Sequence, residues 1–275
     1  MIRPLAIPLL LWSLAASAAQ PLNISEEAVI NFGFATQLGS GIYSVSGRTL
    51  QVYRLPFSYS LTRDEESRFR PRLTLPLTIG FLDFRPRDVV DSGMPERIDS
   101  LSFVPGLALE VRMTEKWELE PFIEAGVSRD RSREINQRVY AAGLRSIHRF
   151  DGDIADRRLV AEILHAVVDL PDVDERDDFT RFRLGASARR PFRPGDGGSR
   201  PDFLVYGIAD LFSDVPTGPA TGEKETDGLV QFEVGMTFGM TENMRLWRIP
   251  LPRIGFGYRF GEDLSVYRIV FGSPY

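Results

Sequence analysis

Two histidines, His148 and His165, and no cysteine are the chain's whole supply of imidazole and thiol. A Ser-His-Asp constellation needs one of those imidazoles with partners on neighbouring segments. A thiolate zinc site or a cysteine nucleophile has nothing to build on. His148 stands in Arg-Ser-Ile-His-Arg-Phe near the end of an apolar-alternating segment, and both histidines read as interfacial side chains with satisfied partners. Neither HExxH nor a glycine-rich phosphate loop occurs. No catalytic residue and no cofactor is expected.

The remaining chemistry belongs to carboxylates and guanidinium groups. Asp172, Asp174, Glu175, Asp177 and Asp178 crowd one acidic stretch, which reads either as oxygen ligands for calcium or as a solvated loop. A second set is spread along the chain: Arg54, Glu110, Arg112, Glu118, Glu120, Glu124, Arg181, Arg183, Glu233 and Arg259. Each sits one residue away from apolar neighbours. Charges that face a shared cavity either select solutes, as charged rings do in channels, or pair with one another and hold the interior in register. The sequence leaves both readings open.

What positions these charges is a period of two, which places alternate side chains on opposite faces of a strand. At 253–260, Ile254, Phe256, Tyr258 and Phe260 alternate with Arg253, Gly255, Gly257 and Arg259. After a Gly-Glu-Asp turn, Tyr267, Ile269 and Phe271 share a face, and the terminal Tyr275 has the same parity. At 117–127, Trp117, Leu119, Ile123 and Val127 oppose Glu118, Glu120 and Glu124, and Thr114-Glu115-Lys116 joins this segment to the preceding one as a hairpin. The pattern predicts about twelve strands, near 28–38, 48–62, 69–84, 97–113, 116–129, 136–150, 157–170, 177–190, 202–213, 228–240, 244–260 and 263–273. Residues 157–170 also fit helical spacing and are read as a strand because strands flank them. Residues 203–212 are apolar on both faces apart from Asp210.

Length and composition narrow the class. A chain of 275 residues holds one large β domain or two ordinary ones, and a net charge of −5 with no basic block excludes nucleic acid as a partner. Residues 1–19 carry Arg3, an apolar core from Leu5 to Leu14, and Ala16-Ser17-Ala18 before a cleavage point, which is the layout of a secretory signal peptide. Residues 20–275 then form a single β domain. Asn23 and Glu26 have capping-box spacing for a short helix that could plug its interior. A soluble sandwich shows the same alternation, but strands of five or six residues suffice for it. Strands of about 9–11 residues, aromatic on one face and charged on the other, suit a tilted bilayer crossing. The fold expected is therefore all-β, a transmembrane antiparallel β-barrel of about twelve strands in the bacterial outer membrane. Its surroundings would be outer-membrane lipid and lipopolysaccharide.

Several motifs resemble the translocator β-domain of outer-membrane autotransporters. They are Gly-Phe-Gly-Tyr-Arg-Phe-Gly at 255–261, Phe-Arg-Leu-Gly at 182–185, Arg-Arg-Pro-Phe at 189–192, Gly39-Ser40-Gly41, Ser46-Gly47-Arg48 and the closing Tyr-Arg-Ile-Val-Phe-Gly-Ser-Pro-Tyr. The resemblance implies a twelve-stranded barrel without a secreted passenger, with a structural or pore-related role. Arg253, Gly255, Tyr258, Phe260, Tyr267, Ile269, Phe271 and Tyr275 also resemble the terminal signal read by the barrel assembly machinery. That likeness implies this machinery as a partner. Oligomeric state is not legible.

Overall fold

The computed structural model describes residues 40–45, 48–62, 64, 66–82, 98–131, 134–152, 155–171, 175–192, 200–213, 229–240, 245–246, 249–250, 253–261 and 264–275. Everything structural below refers to these residues. The expected segment 28–38, the signal peptide and the Asn23–Glu26 capping box lie outside them.

The fold is one antiparallel sheet. Its strands are β1 (Gly41–Val45), β2 (Arg48–Ser60), β3 (Phe69–Leu82), β4 (Ser100–Phe103), β5 (Gly106–Arg112), β6 (Trp117–Asp130), β7 (Ile135–Phe150) and β8 (Asp156–Leu170). They continue with β9 (Glu175–Pro191), β10 (Pro201–Ser213), β11 (Leu229–Met240), β14 (Ile254–Gly261) and β15 (Leu264–Phe271). Between these last segments, β12 (Arg245–Leu246) and β13 (Ile249–Pro250) form a separate two-stranded ribbon. Both β4 and β5 pair with β3 and with β6 in one continuous register, so they are one strand interrupted at Val104-Pro105. The interruption has a local cause: Pro105 has no N–H to give the ladder, although its carbonyl still accepts from Ala125 N at 2.9 Å. Counted this way, the sheet has twelve strands among the described residues, the number expected, although β1 falls in none of the expected segments and the expected 28–38 lies outside the described residues.

Each strand pairs with the next in chain order, and β1 pairs also with β15 at Ile42↔Tyr267, so the pairing runs in a ring. Carried around that ring, the registers return to β1 displaced by about 14 residues, which for twelve strands corresponds to a tilt of about 40° and a backbone radius of about 12 Å. The 14 residues of β6 then rise about 35 Å along the axis, compared with about 30 Å for the hydrocarbon of a bilayer.

The two faces have inverted character. Phe57, Tyr59, Ile123, Val127, Leu184, Phe256 and Tyr267 are exposed, Tyr267 to 71%. Opposite them Glu118, Glu120, Glu162, Arg181, Arg183, Asp210, Glu233 and Arg259 are buried, Arg259 completely. The buried face also holds an apolar cluster of Ala108, Phe122, Ala141, Leu164, Ala166, Phe179 and Phe212. This face is concave, because its side chains touch across intervening strands: Arg54 of β2 lies 3.7 Å from Glu124 of β6.

Three expectations change. The strand expected at 244–260 begins only at Ile254, because Pro250 and Pro252 remove donors and 245–250 folds on itself. The acidic stretch is not one loop. Glu175 opens β9, and Asp177 and Asp178 pair with Val168 and Val167 in the ladder. Consecutive strand residues point to opposite faces, so those two carboxylates cannot converge on one calcium ion; Asp172 and Asp174 lie outside the described residues. The third change concerns Tyr275. The last strand stops at Phe271, Gly272 takes a φ of 82°, and the chain turns inward with Pro274 buried. Parity no longer applies beyond that turn, and Tyr275 leaves the outer aromatic row. The segment at 157–170 is the strand β8 rather than a helix.

Candidate functional site: a belt of alternating arginines and carboxylates

Period-two strands place one inward side chain at every second residue, and adjacent strands bring these rows about 5 Å apart. With a radius of about 12 Å, side chains of about 6 to 7 Å reach their neighbours and one another over much of the interior. The result is a belt that begins on β3. Glu110 on β5 meets Arg70 Nη2 at 2.9 Å and Arg72 Nη1 at 3.2 Å. Glu118 on β6 lies 3.4 Å from Arg70 Nη2 and accepts from Arg149 Nη2 at 2.9 Å. Glu120 takes Arg72 on one side and Arg145 Nη1 on the other, the latter at 2.6 Å. Arg145 also stacks over the Phe122 ring, 5.4 Å from its centroid. Glu162 on β8 then accepts from Arg145 Nε at 2.8 Å and from Arg181 Nη2 at 2.6 Å.

The belt crosses β9 from Arg181 to Arg183, two residues on and on the same face. Arg183 holds Asp210, and Arg259 Nη2 lies 3.2 Å from Asp210 Oδ2. Arg259 Nε donates to Glu233 Oε2 at 3.0 Å, and Glu233 is also paired with Arg268 of β15. Arg268 Nε donates in turn to the Ser40 carbonyl at 3.0 Å, next to β1. Each of these six carboxylates is therefore bracketed by two guanidinium groups. At the end of the sheet where β15 finishes, Asp202 repeats the arrangement with Arg189 and Arg253.

A buried carboxylate is costly unless neutralised, and two fixed cations on each one neutralise it with some positive charge to spare. Glu110, Glu118 and Glu120 present oxygens within 4.8 Å of one another, a spacing that fits a cation. Their four arginines already supply that positive charge, so the cluster is ion-paired as it stands.

Two aromatics cover glycines on the same face. Tyr206 donates its hydroxyl to Glu233 Oε1 at 2.8 Å, and a Cβ on Gly235 or Gly257 would collide with that hydroxyl. Tyr275 lies over Gly185 of β9, where an added Cβ would come within 2.8 Å of the ring. Three strands separate β9 from β15 in the pairing order, so the tail reaches across the interior.

All ten charges expected to face a cavity lie on the inward face. Glu110, Glu118, Glu120, Arg181, Arg183, Glu233 and Arg259 are in the belt. Arg54 and Glu124 make their looser tie, and Arg112 is the register partner of Glu118, with Nη1 3.4 Å from the Glu66 carbonyl. The alternation missed the role of Arg70, Arg72, Arg145, Arg149, Glu162, Asp210 and Arg268, although their parity on the polar face was available to find them. Of the terminal-signal residues, Tyr258, Phe260 and Tyr267 face outward, Ile269 and Phe271 are half-buried on the same side, and Arg253 and Gly255 face inward. The histidines take no part in the belt. His148 stacks on Trp117 at 5.5 Å and an interplanar angle of 10°, and His165 Nδ1 is 3.1 Å from Thr180 Oγ1 on the outer face.

No known family matches the chain, and no curated protein matches it. Among solved structures, that of the outer membrane transporter YddB from Escherichia coli is similar, with a TM-score of 0.30 and 10% identity over 81% of this chain and 36% of that one. The chain thus spans about a third of the length of that transporter.

Proposed function

We propose that this chain is an integral β-barrel of a bacterial outer membrane whose interior is cross-braced rather than open. One observation carries the reading: arginines and glutamates are buried on the concave face while phenylalanines, tyrosines and leucines cover the convex one. Water favours the reverse distribution, and soluble monomers rarely expose contiguous apolar patches beyond a few hundred Å². Hydrocarbon around the convex face reconciles the two. The pairing of every belt carboxylate with two arginines favours a structural role over free solute conduction. The motifs at 255–261 and 182–185 support a translocator-like barrel, exported by its signal peptide and inserted by the barrel assembly machinery into lipid and lipopolysaccharide.

The test is fractionation of cells expressing the full chain, followed by gel migration with and without heating. A folded barrel stays in the outer-membrane fraction and migrates anomalously until heated. Recovery in detergent-free buffer as a monodisperse species would overturn the reading.

A further inference from the structure

The apolar covering of the convex face ends sharply on β6 and β7. Ile123 and Val127 of β6 and Tyr140 and Leu144 of β7 are exposed outward residues. One pleat further, at the end of the sheet opposite the one where β15 finishes, the same faces carry Arg129, Asn136 and Arg138. Register gathers them into one block: Arg129 is opposite Asn136, and Arg138 is opposite Val127. All three are exposed, as is Arg131 just past β6. On the neighbouring β4, Leu101 and Phe103 are the partners of Arg129 and Val127, so apolar side chains border the block.

The block is cationic. Neither Arg129 nor Arg131 has an ion-pair partner among the described residues. Arg138 reaches Asp169 of β8 only at 3.7 Å, with both side chains open to solvent, and such a pair contributes little and exchanges readily. Asp169 is also the register partner of Arg176 on β9, with Asp178 following on the same face of β9 and Glu134 exposed in the β6–β7 turn. The shape is concave as well. Arg129, Asn136 and Arg138, together with Val127 and Pro171, line a cleft of about 500 Å³.

We propose that this cleft binds the phosphate of a membrane lipid headgroup between Arg129 and Arg138, with Asn136, while the lipid's chains run along Phe103, Val127 and Tyr140. The inference rests on the barrel reading above and leaves the braced interior closed. Guanidinium groups engage phosphate oxygens through paired N–H donors, and an amide adds another. Position selects the source of the phosphate. The two arginines stand where the hydrocarbon-facing surface ends, which is the level of lipid headgroups, and basic side chains at a membrane surface attract anionic lipid. A soluble anion would have no use for the exposed Phe103, Val127 and Tyr140 beside them.

Wild type, Arg129→Gln/Arg138→Gln and Arg157→Gln/Arg190→Gln are refolded into detergent and checked for heat-modifiable migration. Arg157 and Arg190 are exposed on the same face at the opposite rim and serve as the control. Retained lipid is counted by native mass spectrometry during titration with dioctanoyl phosphatidic acid, or with dioctanoylglycerol, which has the same chains and no phosphate. A third titration adds inorganic phosphate to the phosphatidic acid in equal amount. The expected result is one phosphatidic acid on wild type and on the control variant, no retained dioctanoylglycerol, and no displacement by inorganic phosphate. Arg129→Gln/Arg138→Gln is expected to bind the lipid about tenfold more weakly or worse. Equal retention of the two lipids overturns phosphate recognition. Equal weakening in both variants reduces the site to general surface charge and overturns it. Displacement by inorganic phosphate makes a free anion the occupant and overturns the lipid. Should the double variant fail to refold, Arg129→Gln replaces it; failure of both makes Arg129 a brace and overturns the proposal. A heat-modifiable wild type that retains no lipid overturns this site alone, whereas a wild type that needs no detergent sinks the barrel reading, so the two failures are distinguishable.

Discussion

Arg183 and Asp210 are register partners on β9 and β10 and are joined by two parallel hydrogen bonds, Nε to Oδ1 at 2.6 Å and Nη2 to Oδ2 at 2.8 Å. Both are buried. The fork of a guanidinium matches the two oxygens of a carboxylate, so this pair fixes the stagger of the two strands as well as their charge balance. Removing one partner leaves the other charged and buried. Asp210→Ala is expected to lose about 3 to 5 kcal/mol, and Arg183→Met with Asp210→Leu together much less. Urea unfolding of detergent-refolded protein reads the difference, and equal losses in the two variants would contradict this account.

Glu118→Ala and Arg183→Ala each free an arginine or a carboxylate from a braced interior. Both are expected to raise single-channel conductance above a nearly silent wild type. A wild type that already conducts steadily, with no change in either variant, would favour an open pore over a belt of paired charges.

Tyr206 spans Gly235 and Gly257 to reach Glu233. Tyr206→Phe removes only the hydroxyl and is expected to cost about 1 to 3 kcal/mol. Gly257→Val places a side chain where that hydroxyl lies and also crowds Glu233 Oε1, so it is expected to cost more. Comparing their thermal midpoints on heated gels checks the order; a milder Gly257→Val contradicts this placement of the hydroxyl.

Phe256 is 63% exposed on the convex face. In hydrocarbon, Phe256→Arg is expected to cost about 2 to 4 kcal/mol near the bilayer midplane. At a water-facing surface the same change stays within about 0.5 kcal/mol. The stability of the refolded variant in lipid therefore reports directly on what surrounds this face.

Much of the fold was legible because strand side chains alternate with a strict period, so one residue of known orientation fixes its whole segment. That is why Glu118, Glu120 and Glu124 could be assigned to one face. Two kinds of feature were hidden. Pairing across strands depends on register, which no local pattern carries; Asp210 looked like a lone charge in an apolar run until β9 brought Arg183 opposite it. Departures from the period were hidden as well. Gly272 resembles any other strand glycine in sequence, yet its positive φ sends Tyr275 inward, against its parity. Prolines 250 and 252 were visible, but that they push the start of β14 to Ile254 depends on 245–250 folding back on itself.

Pro56 of β2 lies opposite Pro76 of β3, and Pro105 interrupts the next strand at almost the same height. Three neighbouring ribbons thus each lack a main-chain donor along one line of the wall. Solvent deuterium should enter the backbone earliest there, and a mechanical load on the cylinder would find its crease along the same line.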